Sequence, residues 1–496
     1  MPRTRLPGTR PPAARFGPLA AVVGVLALVE LTSGILQGYY TPMLSDLARH
    51  LRVHDADVNW LEGAQLMCSA LVVPVLAKLG DALGHKRILL VATAVTALAS
   101  FALAATQSFP LFLLAWALQG FYTVWLPLEI ALVWSRATRV HGAERPAALT
   151  RRAAGLLVAV LELGVIAGAL LGGQLVDALP MQLVLLVPAV AVALCLPVVW
   201  FGVEETRGRR PGPFDAAGTA LLLTSLLLVT GGLALLRLHG AASPWPWAAV
   251  AAGLVLLVPF ARAELRHPSP LVDVRMFRDP ALWPVFLTAG LFGVSVLGAQ
   301  APLSTFVRTD PALVGYGLGA SSGQTSLVIG AYVLSLVVGA ALLPAATRLM
   351  APRRALMAAC LLVAAGYLLF LPSHSSMAAV VGNMVIAGVG SGALVAALPA
   401  AAAAAAPAAQ TGVATGLTNS VKTVGGAVAS AVFGMALLAG AAGAVETTAG
   451  SFAGYLTVWG VCGGTALASA VCLLFVPPGA FADREELAGT VPVRAA

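Results

Sequence analysis

Fourteen long, mostly apolar runs follow one another along this chain and limit what it can fold into. They occupy residues 17–44, 58–79, 88–106, 110–134, 153–177, 180–202, 216–237, 245–263, 281–306, 324–346, 354–372, 376–402, 410–440 and 452–477. A run of about 20 apolar residues matches the hydrocarbon thickness of a bilayer when coiled as a helix. In lipid, every backbone N–H and C=O must be satisfied within the protein, so each run is predicted to be a helix. Composition agrees: 59% of residues are hydrophobic and 10% are charged, against roughly 25% charged in a soluble domain. The 51 glycines and 32 prolines would suggest loops in water, but both are tolerated in close-packed membrane helices. The expected fold class is all-α and integral to the membrane, with 14 transmembrane helices.

Loop charge gives an orientation. With the N-terminus in the cytoplasm, 24 of the 29 Lys and Arg fall on the cytoplasmic side. They include Arg136, Arg139, Arg145, Arg151 and Arg152 in one loop and Arg207, Arg209 and Arg210 in another. The outer side receives Arg49, Arg52, Arg237 and Arg308, and Lys422 lies within a span. A missed helix would scatter this asymmetry, so both termini are expected inside a cell membrane. The net charge of +8 is thereby assigned to orientation, with no nucleic-acid partner. The start, Arg3 to Arg15 and then an apolar run, resembles a signal peptide, but the run continues past Thr32 and is read as a retained first helix. Cys68, Cys195, Cys360, Cys462 and Cys472 sit inside apolar runs without metal or disulfide spacing and are read as small buried hydrophobes. No metal and no cofactor are expected.

The runs group as six, two and six. The expected organisation is a cytoplasmic tail (1–15), a six-helix bundle (16–203), a linker with two inserted helices (204–280), a second six-helix bundle (281–477) and a cytoplasmic tail (478–496). Polar, proline-bearing stretches mark the breaks, at Glu204 to Asp215 and in ELRHPSPLVDVRMFRDP (264–280). A faint repeat relates LAKLGDALGHKRILL (76–90) to LPAATRLMAPRRALM (343–357), with Lys86-Arg87 aligned on Arg353-Arg354. The Ala-rich run around 398–409 is assigned no chemistry.

Several motifs point to one family. Leu79, Gly80, Asp81, Gly84, Lys86 and Arg87 resemble the signature between helices 2 and 3 of the major facilitator superfamily, Gly-x-Leu-(Gly/Ala)-Asp-Arg-x-Gly-Arg-(Lys/Arg). The chain departs from it at Ala77, Ala82 and His85. Gly84 suits a tight turn, and Asp81 can cap a helix end or pair with basic neighbours. Such a cluster can latch two halves together, and His85 in place of Arg would make the latch sensitive to pH. Gly164, Gly168, Gly172 and Gly173 resemble the antiporter signature of the same family, with Ala169 where Pro is usual. Glycines four apart form a flat ridge that admits a neighbouring backbone. Gln119-Gly120 matches the Arg-x-x-Gln-Gly motif of span 4, with Trp116 in the place of the Arg associated with proton transfer. The two inserted helices, PLVDVRMFRDP (270–280) and span 13, with Gly416, Asn419, Lys422, Gly425 and Gly426, resemble the fourteen-helix drug–proton antiporter branch.

Charges within the membrane are costly and usually functional. Glu30 heads a stripe with Gly34, Gln37 and Thr41 at helical spacing, expected to line a cavity, and with Thr32 it looks like the acidic pair of that branch. Glu30 and Glu162 are the candidates for proton coupling. Glu162 stands two residues before Gly164 and should project away from the glycine ridge. Glu30, Gln37, Glu62, Gln65, Trp116 and Lys422 are candidates for the substrate cavity, with Glu62 and Gln65 near the outer mouth. Glu129 is expected to pair with Asp81, His85, Lys86 and Arg87.

The expected architecture is therefore two pseudo-symmetric six-helix bundles plus two inserted helices. The resemblance implies a monomeric proton-coupled antiporter that exports a small hydrophobic or cationic compound by alternating access and is not an enzyme. Uptake or symport of a small metabolite is the alternative. A membrane enzyme would need a catalytic cluster, and a channel a filter loop; neither is visible in the sequence.

Overall fold

The computed structural model describes residues 17–141, 146–205, 215–240, 242–268, 270–406, 411–439 and 448–475. Both tails, Arg145, and Arg207, Arg209 and Arg210 lie outside the described residues. Among the described residues the protein is entirely helical. Thirteen of its helical segments are long and apolar enough to cross a membrane. The sequence expectation of a span at 354–372 falls on an eighteen-residue helix, Pro352–Leu369, which is not among the thirteen. The large apolar surface is turned outward: Phe201 is 85% exposed and Trp245 78%. In water each such side chain would forgo about 1.5–3 kcal/mol of burial, so the surface belongs in lipid.

The first six spans are α1 (Gly17–Tyr39) continued by α2 (Leu44–Leu51), α3 (Val58–Leu83), α4 (His85–Ala105), α5 (Phe109–Gln119) continued by α6 (Trp125–His141), α7 (Pro146–Ala178) and α8 (Met181–Gly202). An inserted hairpin follows, α9 (Ala216–His239) and α10 (Pro244–Arg266). The remaining helices are α11 (Trp283–Val296) continued by α12 (Gln300–Arg308), then, after a four-residue turn of helix α13 (Pro311–Val314), α14 (Ser322–Leu349), α15 (Pro352–Leu369), α16 (Met377–Ala405), α17 (Thr411–Leu438) and α18 (Phe452–Cys472). One apolar core is built mainly from the first set and a second mainly from the last.

Corresponding helices pair in the same way in both halves. Helix α1 packs on α7 as α11 packs on α17, and α4 on α8 as α15 on α18. The register is shared too. A side chain at Gly34 would strike the Leu161 carbonyl, and one at Gly293 would strike the Lys422 carbonyl. Gly164 abuts the Leu31 carbonyl as Gly425 abuts that of Gly290. Small residues thus let the backbones touch at equivalent depths, as the glycine ridge at Gly164, Gly168 and Gly172 led us to expect. Between the halves, α3 packs on α17 and α7 on α14. The inserted α9 leans on that first seam, with Val229, Leu233 and Leu236 clustered against Trp60 of α3 and Ala431 of α17.

Candidate functional site

Three spans are broken at similar depth. Helix α1 ends at Tyr39 before the 3-10 turn Thr41–Met43, α5 gives way to the 3-10 turn Gly120–Val124, and α11 stops at Val296 before α12 begins at Gln300. Irregular backbone within a membrane is tolerated where it lines a cavity or is buried in protein. A small cavity of about 40 Å³ lies at these breaks. Its wall includes Gln37 and Tyr40 of span 1, Glu62 and Gln65 of α3, Trp116 and Tyr122 of span 4, and Leu297 and Gln300 of span 9. Polar groups, aromatic faces and one carboxylate thus converge at the junction of the halves. The 3-10 turn fits against α3 because Gly120 lacks a side chain, which would come within 2.8 Å of the Gln65 carbonyl. Gln119 stays behind the wall, fully buried, donating to the Tyr40 hydroxyl at 3.0 Å and to Ser100 Oγ at 2.9 Å.

Glu30 is not part of that wall. It is 0% exposed inside the first half, and its carboxyl faces that of Glu129 on α6, also 0% exposed. Ser33 lies beside Glu30, and Cys195 within electrostatic reach of Glu129. Neither carboxyl completes a hydrogen bond within the limits of good geometry. This corrects two expectations. Glu129 does not reach the Asp81 cluster, because α6 turns its acidic face inward toward α1. Glu30 does not line the cavity, because Gly34 on the same stripe is pressed against α7 and rotates Glu30 toward α6 and α8. Tyr122, unremarked in the sequence, lies within electrostatic reach of both Glu62 in the cavity and Glu30 in the sealed pocket.

Glu162 and Lys422, on opposite halves, lie within electrostatic reach of each other. Each is only partly buried. Glu162 stays clear of the glycine ridge, whose contacts are made by Leu31, Gly34, Ile35 and Tyr39.

At one end the halves are locked. Arg308 at the end of α12 donates to Asp46 of α2 at 2.8 Å, both side chains mostly buried. Ser322 Oγ donates to the same carboxylate at 3.2 Å, Ser304 Oγ to the Thr41 carbonyl, and Ser326 Oγ to the Ala169 carbonyl at 2.8 Å. Gly173 makes the last contact possible, since any side chain there would overlap Ser326. Sequence reading placed Arg308 only as a loop charge.

At the other end, α3 passes into α4 through Gly84, whose φ of +108° suits glycine. A side chain there would come within 2.6 Å of Glu205. Glu205, just after α8, accepts from the backbone N–H groups of Lys86 and Arg87 at 3.1 Å each and pairs with the Arg87 side chain. It is the carboxylate that holds the signature loop, in the role expected of Glu129. Asp81 is exposed and 3.1 Å from His85 Nε2, Gly80 admits Leu128 of α6, and Leu79 packs against the first core. Lys78 donates to the Pro270 carbonyl at 3.1 Å and so ties α3 to the segment after the inserted hairpin. Among the described residues no group of His, Cys, Asp and Glu could hold a metal ion.

Two halves meeting at a polar cavity, with broken spans around it, define a secondary transporter. Residues 26–430 match the Major Facilitator Superfamily, and the chain belongs to that family. It is 27% identical over 391 residues to the "Multidrug efflux pump LfrA" of Mycolicibacterium smegmatis, covering 77% of this chain and 73% of that protein. It is 28% identical over 413 residues to the "Cephamycin export protein CmcT" of Amycolatopsis lactamdurans, covering 80% of each. Among solved structures, the nucleoside transporter NupG superposes with a TM-score of 0.61 at 13% identity, covering 92% of this chain and 98% of that one. The human organic anion transporter MFSD10 gives 0.60 at 18% identity, covering 94% and 100%. The family is one of transporters rather than enzymes, and the chain is a multi-pass membrane protein.

Proposed function

We propose that this protein is a proton-coupled antiporter exporting a small hydrophobic or cationic compound from the cell by alternating access. In this reading α15 is the fourteenth span, both termini are cytoplasmic, the site lies in the cell membrane, and the proton gradient replaces any cofactor. The observation that carries it is the sealed Glu30–Glu129 pair beside the cavity. Two carboxyls forced together in a dry site, with no cation beside them among the described residues, cannot both be ionised, so the pair is built to hold a proton. Glu62, with Trp116, Tyr40 and Tyr122 around it, offers a cation both charge and aromatic faces. Tyr122, on the cavity wall, lies within electrostatic reach of both Glu62 and Glu30, so the two sites are close enough for a cationic cargo and a proton to oppose one another.

The efflux roles named for both relatives support export. The end locked by Asp46 and Arg308 is the outer one in this orientation, so the cavity is closed to the outside. Opening it requires that lock to break while the opposite end closes. Everted membrane vesicles test the reading directly. An acid-inside gradient should drive uptake of tetraphenylphosphonium, and a protonophore should abolish it. Uptake insensitive to the gradient would contradict proton coupling.

A further inference from the structure

We infer that a forked cleft beside the inserted hairpin binds an anionic diacyl phospholipid of the cytoplasmic leaflet, with one acyl chain in each of two apolar chambers and the phosphate on Arg278. The site is separate from the cargo cavity and goes beyond the transport reading above, from which it takes only the orientation. The first chamber, of about 440 Å³, is enclosed by α3, α9, α10, α17 and the segment after the hairpin, with Pro74, Leu226, Phe260 and Leu417 among its walls. The second, of about 660 Å³, lies between α11, α17 and α18, with Trp283, Leu287 and Val461 among its walls. Both volumes fall in the range of ordinary ligand sites, roughly 300–1,000 Å³. The chambers share Phe277, Val421 and Val424, so they adjoin along one common wall.

A ligand with one chain fills one chamber; two chains joined at a single head fill both. Phe277 is 40% exposed, so the fork opens there, and the head belongs beside it. Arg278, the next residue, is exposed and lines the first chamber. Among the described residues it is the one charged side chain lining either chamber, and its guanidinium makes no hydrogen bond or salt bridge. The neighbouring carboxylates are engaged elsewhere: Asp273 accepts from the Arg275 N–H at 3.1 Å, and Asp279 from the Ala281 N–H at 2.8 Å. A phosphate offers Arg278 the paired, charge-assisted hydrogen bonds that a guanidinium fork is shaped to make. In the orientation adopted above, the fork opens on the cytoplasmic side, where anionic lipids concentrate. A zwitterionic lipid brings its own cation to the same place, so the site selects net negative charge. Because α3 belongs to the first half and α17 to the second, the bound lipid sits across the seam between them.

Nanodiscs of equal phosphatidylcholine and phosphatidylglycerol, the latter with a diazirine in its acyl chains, give a test free of any variant. Photolysis of wild type should concentrate adducts on chamber residues such as Phe277, Leu287 and Val421. Labelling spread evenly over the apolar surface, reaching Phe201 (85% exposed) as readily, overturns the inference. Native mass spectrometry of protein released from discs of the unmodified lipids should show phosphatidylglycerol retained about tenfold over phosphatidylcholine, the size of one charge-assisted contact. Arg278→Gln should remove that preference and Arg278→Lys keep most of it. Arg354→Gln, which deletes an exposed charge on α15 away from the cleft, should leave it unchanged. Equal retention of both lipids by wild type, an unchanged preference in Arg278→Gln or the same loss in Arg354→Gln overturns the inference. So does displacement by lysophosphatidylglycerol as potent as by the two-chain lipid, since the second chamber would then contribute nothing. None of these readouts involves transport, so their failure leaves the export reading standing.

Discussion

Arg308 and Asp46, 262 positions apart in the chain, are joined by a charged hydrogen bond of 2.8 Å that ties the second half of the protein to the first. Their side chains retain 12% and 14% exposure, so solvent screens the pair only weakly. Asp46 also accepts from Ser322 and pairs with Arg49. One carboxylate therefore holds α2, α12 and α14 together at the closed end.

Removing it should loosen that end. Asp46→Asn is expected to shift the equilibrium toward the state open at this end by about tenfold, the scale of one hydrogen bond to a charged group. Maleimide labelling of a cysteine placed at Ser304 should then quicken about tenfold. The exchange Asp46→Arg with Arg308→Asp should restore part of the protection, and an unchanged labelling rate in Asp46→Asn would remove the lock from the account.

The paired glycine ridges make a stability prediction with its own control. Gly34→Ala and Gly172→Ala would drive a methyl into the Leu161 and Tyr39 carbonyls. Each should cost on the order of 1–3 kcal/mol by overpacking and lower the unfolding temperature in detergent. Gly155 and Gly330 have open space at the same atom. Alanine at these two positions should leave the unfolding temperature unchanged or slightly raised, since it removes backbone freedom from a helix. Similar losses at all four positions would mean the close α1–α7 contact is not what the ridge provides.

Glu205 caps the start of α4 from outside its own helix. Glu205→Ala should cost about 0.5–2 kcal/mol, the range for losing a helix cap. Hydrogen exchange at residues 86–88 should accelerate while α14 and α16 remain protected. Unchanged exchange there would mean Lys86 and Arg87 are held by something other than this carboxylate.

What could be read before the structure follows physical reach. Span positions and the glycine ridge depend on local composition and helical period, and Gly164, Gly168 and Gly172 do meet α1. Gly84 was legible because a sharp turn needs a residue free to take positive φ. The partners of the charges were not. Sequence gives the depth of Glu129 along its span but not which neighbour its face meets, and that face turns to Glu30 rather than to the loop. Arg308 with Asp46, and Glu162 with Lys422, arise from packing of distant segments, which no local pattern encodes. The breaks in spans 1, 4 and 9 were hidden because the apolar runs continue through them.

The central claim is that Glu30 and Glu129 act as one proton-holding unit, apart from the cargo at Glu62. The direct measurement is proton release on adding tetraphenylphosphonium to everted vesicles energised acid inside, comparing wild type with Glu30→Gln, Glu129→Gln and Glu62→Gln. The account predicts that Glu30→Gln and Glu129→Gln each abolish proton release while retaining cation binding, and that the double variant is no worse than either single one. Glu62→Gln should instead weaken cation binding by about tenfold and leave some coupled release at saturating cation. Full proton release by Glu129→Gln would contradict the account, since Glu30 would then carry the proton without its partner.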